Sequence, residues 1–134
     1  MTREQLYNHF ALRQELKQAE EVLKALRAAA SPGAQALTGM PHAPAVTDKT
    51  GDLAAEIVDM EQEVQRIHAA IAQEEPEILQ FISRISNSRT RTIFRLRLLH
   101  GLSWKEISTL LGRWTNASSV SSAFYAWLRR NPDE

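Results

Sequence analysis

Apolar residues recur over the first thirty positions at helical spacing: Leu6, Phe10, Leu16, Ala19, Leu23, Leu26 and Ala30, interleaved with Glu, Gln, Lys and Arg and uninterrupted by Gly or Pro. This pattern predicts an amphipathic helix over residues 1–30. The helix is expected to end near Ser31, because SPGAQALTGMPHAPAVT (31–47) holds three Pro and two Gly, which predicts a linker. Helix is expected to resume over 48–86, with an Asp or Thr cap supplied by TDKTGD. There Ile57, Val64, Ile71, Ile78 and Ile85 lie seven apart, and Leu53, Met60, Ile67 and Phe81 share a second phase that Glu74 interrupts once.

These are heptad a and d positions. The register runs across Pro76, so a long helix kinked or broken at Pro76 is expected. Leu53, Ile57, Met60, Val64, Ile67, Ile71 and Ile78 form a seam that needs a partner. That partner is either the helix of residues 1–30, folded back as a hairpin, or the same helix of a second subunit. A homodimer through the heptad helix is the expected assembly.

Residues 87–134 change character. SRTRTIFRLRLLHG sets Ile93, Leu96 and Leu99 on one side of a helix with Arg89, Arg91, Arg95 and Arg97 around it, and Gly101 stands where a left-handed cap is wanted. SWKE (103–106) reads as a capping box, and Ile107, Leu110 and Leu111 make a short apolar face before Gly112. In the last helix, at about 100° per residue, Ala123, Phe124, Trp127 and Leu128 cluster around Val120. Ser118, Ser122, Tyr125 and Arg129 fall opposite, a small polar stripe suited to base edges in a major groove, with Asn116, Ser119 and Arg113 at its leading end. The fold class expected is all-α: long amino-terminal helices forming a coiled-coil-like hairpin or dimer seam, followed by a helix-turn-helix domain.

Charge sharpens this picture. The 134 residues carry 16 Lys+Arg and 16 Asp+Glu, yet residues 1–83 hold seven cations against thirteen carboxylates and 84–134 hold nine against three, giving −6 and +6. A basic module beside an acidic one is expected where only one part meets phosphate. Without Cys there is neither a disulfide nor a thiolate metal site, and no stretch approaches the roughly 18 apolar residues of a membrane span. A cytoplasmic protein with no membrane partner is expected. His9, His42, His68 and His100 make no metal-binding spacing, there is no phosphate loop or nucleophile motif, and Glu74, Glu75 and Glu77 read as a solvated cluster. No enzyme, metal or cofactor is therefore expected, and Trp104 and Trp114 are read as packing residues.

TIFRLRLLHGLSWKEISTLLG resembles the region 4 helix-turn-helix of bacterial sigma factors. With the GMP-containing linker and the TDKTGDLAAEI start of the heptad helix, nearly the whole chain resembles phage-encoded, sigma-like transcriptional regulators of the ArpU and RinA type. The resemblance implies that Ser103, Lys105 and Arg113 approach phosphates while the helix from Asn116 onward reads bases. Together with the stripe, this makes Asn116, Ser118, Ser119, Ser122, Tyr125 and Arg129 the base-reading candidates, and Arg89, Arg91, Ser103, Lys105, Arg113 and Arg130 the phosphate candidates. It further implies a phage or prophage regulator of late or packaging-gene promoters. Such a regulator would work in the nucleoid of a bacterial host, with promoter DNA and host RNA polymerase as partners. Two other readings of the residues stay open: an interaction module of adaptor or anti-sigma type, and a DNA-packaging small subunit.

Overall fold

The computed structural model describes residues 1–31, 43–112 and 115–132, with the side chains of 43–50 outside the description. Among these residues all regular structure is helical: α1 (Arg3–Ala30), α2 (Ala43–Ser83), α3 (Ser88–Leu98), α4 (Trp104–Leu111) and α5 (Ala117–Arg130). The class is all-α with long amino-terminal helices. Residues 32–42 of the expected linker lie outside the described residues, but its last part is helical. α2 begins at Ala43 rather than at the Asp or Thr of TDKTGD. Pro44 stands in the first turn, where a missing N–H breaks no intrahelical bond, so the expectation that Pro excludes helix throughout 31–47 does not hold.

α2 also continues unbroken past Pro76 to Ser83, so the alternative of a break there is not realised. A proline at this position removes the bond to the Ala72 carbonyl. Pro76 and Ala72 are both exposed, so water can satisfy that carbonyl and the helix persists.

The chain resolves into two compact units, Glu15–Ala69 and a discontinuous one of Met1–Gln14 with Ala70–Glu134. The first is a hairpin of the two long helices. Arg27 pairs with Glu61 at 2.7 Å, and Glu20 approaches His68 at 3.9 Å, so the helices run antiparallel. Leu16, Ala19, Leu23 and Ile67 are buried in it, whereas Leu53, Ile57, Met60 and Val64 are only half-buried.

The second unit is built on one core. Leu6 of α1 and Ile78, Phe81 and Ile82 of α2 join Ile93, Phe94, Leu98, Ile107, Val120, Phe124 and Leu128, all nearly inaccessible. Phe94 stacks on Phe124 at 4.4 Å between centroids, and Trp127 meets both Phe81 and Phe94 edge-on. Ile71 and Ile78 are buried as well, so these seam positions find their cover within a single chain. The expected homodimer is not needed to hide them.

The seam's interruption has a partner. Glu74 Oε1 lies 2.7 Å from Nδ1 of His9, which is fully buried, and Arg13 Nε donates to His9 Nε2 at 3.1 Å. Because Arg can only donate, Nε2 must accept, and the ring is the neutral tautomer whose Nδ1–H donates to the carboxylate. Glu74 is thus half-buried and engaged, not part of a solvated cluster as its neighbours suggested. Burial lowers the Arg13 pKa from its ordinary value, and Glu75 opposes the shift.

Candidate nucleic-acid interface

Three short helices carry the expected site, and their ends are fixed by local chemistry. Asn87 caps α3, its side chain accepting from the Thr90 amide. Gly101 turns the chain at φ 63°, the conformation glycine adopts without strain. The SWKE box forms as read: Ser103 accepts from the Glu106 amide at 3.1 Å and the Glu106 carboxylate accepts from the Ser103 amide at 2.9 Å. Asn116 and Ser119 make a second box at the start of α5, with Asn116 Oδ1 accepting from the Ser119 amide at 2.8 Å.

The turn between α3 and α4 is held from two sides. Gln14 Nε2 donates to the Gly101 carbonyl at 2.7 Å, and an Arg97 guanidinium nitrogen donates to the Leu102 carbonyl at 3.0 Å. The Arg97 guanidinium is sandwiched between the rings of Phe10 and Trp104, at 3.6 and 3.9 Å from their centroids. Desolvation by burial lowers its pKa from the ordinary value and Tyr125 opposes the shift; the group remains a cation at neutral pH. Arg97 is therefore a clamp on the turn, and Trp104 is a packing residue as expected.

The named candidates divide into three groups. Ser118, Ser122 and Arg129 are exposed on α5, while Arg89, Lys105 and Arg130 are exposed on α3, α4 and α5. Ser103, Asn116 and Ser119 are exposed but occupied as caps, which leaves the Asn116 amide nitrogen outside the cap. Arg91 and Tyr125 are placed differently from the expectation. Arg91 is half-buried and donates to the Ile85 carbonyl at 2.8 Å, tying down the loop before α3. The ring of Tyr125 packs edge-on against Tyr7, Trp104 and Phe124 at 5.3–6.3 Å, because α1 covers the flank of α5 that the isolated helix left open. Arg113 and Trp114 lie outside the described residues.

Two further cations, Arg84 and Arg95, are exposed in this region. Helical periodicity could not single them out, since it separates apolar from polar faces but does not rank the polar positions. With Arg89, Lys105, Arg129 and Arg130 they make six exposed cations, and among the described residues none of the six is in an ion pair. In the helical hairpin Arg27 and Arg66 are each paired with a glutamate, while Lys24 is exposed without an ion pair among the described residues. Comparison with known proteins returns no match, whether to a family model, a curated protein or a solved structure.

Proposed function

We propose that this chain is a DNA-binding transcriptional regulator whose α3–α4–α5 segment acts as a helix-turn-helix of the sigma region 4 type. The observation that carries the reading is the set of six exposed cations that have no carboxylate partner among the described residues. A surface with an excess of one charge opposes folding through self-repulsion, and a polyanion relieves that repulsion while releasing its own counterions. Support also comes from α5, where Ser118, Ser122 and Arg129 give a low polar surface able to approach base edges, with Arg130 beside them for the backbone. By resemblance, the promoter would belong to late or packaging genes of a phage or prophage, and host RNA polymerase would be the protein partner in the bacterial cytoplasm.

The test is titration of the full chain with duplex DNA at several salt concentrations. Affinity should fall steeply as salt rises, and Arg129→Ala or Arg89→Ala should each flatten the logarithmic slope by about one unit while weakening all sequences alike. Ser122→Ala should instead lower preference for a sequence selected from a random library, by about 1–3 kcal/mol of discrimination. Binding that is absent at low salt, or indifferent to salt, would refute the reading.

A further inference from the structure

The two sides of the Glu15–Ala69 hairpin are unlike. One groove is lined by Glu20, Leu23, Lys24, Arg27, Glu61 and Val64, so it holds cations as well as carboxylates, and Arg27 is bonded to Glu61 across it. The other, of about 260 Å³, has a floor of Ala19, Val22, Met60 and Ile67 between Glu15 and Glu63, with Gln18 beside them and no cation in its lining. Val22 is 45% exposed there, one of the exposed large apolar side chains among the described residues. Arg66 pairs with Glu63 from the neighbouring turn but is itself 73% exposed and does not line the groove, and Glu15 has no ion-pair partner among the described residues.

We infer that this second groove docks an amphipathic basic helix of a protein partner. Two antiparallel helices leave a trough parallel to their axes, and a third helix fills such a trough with apolar residues at i, i+3, i+4 and i+7. Lysines or arginines flanking those residues would meet Glu15 and Glu63, and the unit as a whole complements them with nine carboxylates against five cations. A second copy of this chain is disfavoured by the same chemistry. A two-fold interface uses the same patch on both copies, so it would bring a lining that holds two carboxylates and no cation against an identical one. This unit contains none of the DNA-facing candidates, so the inference stands or falls separately from the DNA reading.

Selection from a displayed library of helical peptides, with the full chain as bait, tests it. Enriched peptides should be amphipathic and positively charged. Fluorescence anisotropy with the best of them should show about tenfold weaker binding to Val22→Gln, matching loss of one buried aliphatic contact. The doubly substituted Glu15→Lys, Glu63→Lys chain should lose at least as much and gain affinity for an acidic version of the same peptide. Both sites are on the hairpin surface, and circular dichroism melts check that each variant stays folded. Enrichment without basic bias, or binding unaltered in folded variants, overturns the inference. So does sedimentation showing a wild-type dimer that Val22→Gln dissociates, since the groove would then hold a second copy.

Discussion

His9 shows how a single residue can escape a sequence reading that its neighbours satisfy. Leu6, Leu16, Ala19 and Leu23 are buried at the spacing that periodicity predicts, but a histidine on that face carries no hydrophobic signal. Its trace in the sequence lies elsewhere, at Glu74, where a carboxylate breaks an otherwise apolar heptad phase. A carboxylate in a seam calls for a buried donor, yet nothing in the sequence alone says which helix supplies it. Removing the imidazole would leave Glu74 half-buried and short of a hydrogen bond, and would open a cavity beside Arg13. His9→Ala should therefore lower unfolding free energy by about 1–3 kcal/mol, read from the urea midpoint at unchanged slope. An unshifted midpoint would mean that the His9–Glu74 bond contributes nothing net.

Among the elements, the buried faces were the legible part. Val120, Phe124 and Leu128 lie inside as their roughly 100° spacing requires, and Ile93, Leu99 and Ile107 follow the same rule. Leu110 departs from it: read as part of an apolar face, it is 65% exposed, because α4 has only eight residues and packs through Ile107 and Leu111. Caps were legible for α4 and missed for α5, where Asn116 reads only as a groove contact in the sequence and is also bonded as the cap residue. The two roles separate by substitution. Asn116→Ala should destabilise α5 by about 1 kcal/mol, whereas Asn116→Ser keeps a capping oxygen and should melt close to wild type. Should the free amide also read a base, both variants lose sequence preference, and a loss confined to the Ala variant would leave capping as its sole role.

At the scale of the whole chain, the boundary drawn at residue 87 follows the change in charge but not the core. Leu6, Ile78, Phe81 and Ile82 complete the cluster around Phe94 and Phe124, and Gln14 and Phe10 brace the turn between α3 and α4. Sequence could not show this, because the two ends of the unit are separated by the 55 residues of Glu15–Ala69. Each buried Leu, Ile or Phe contributes about 1.5–3 kcal/mol, so losing four approaches the 5–15 kcal/mol that stabilises an ordinary domain. A fragment of residues 87–134 should accordingly show no cooperative thermal transition. Excision of 15–69, with a loop of about four residues joining Gln14 to Ala70, should behave differently. His9 and Glu74 face each other across α1 and α2, and Gln14 and Ala70 lie five and four residues beyond that pair, so the ends to be joined run level. The excised segment carries nine carboxylates and five cations, which leaves the remainder with net charge +4 where the whole chain has none. The excised protein should melt cooperatively and bind duplex DNA more tightly than the full chain at low salt, with the advantage shrinking as salt rises. A folded excision product that ignores DNA would remove the basis for the proposed interface, and a cooperative melt from 87–134 alone would show that the amino-terminal helix is dispensable to the core.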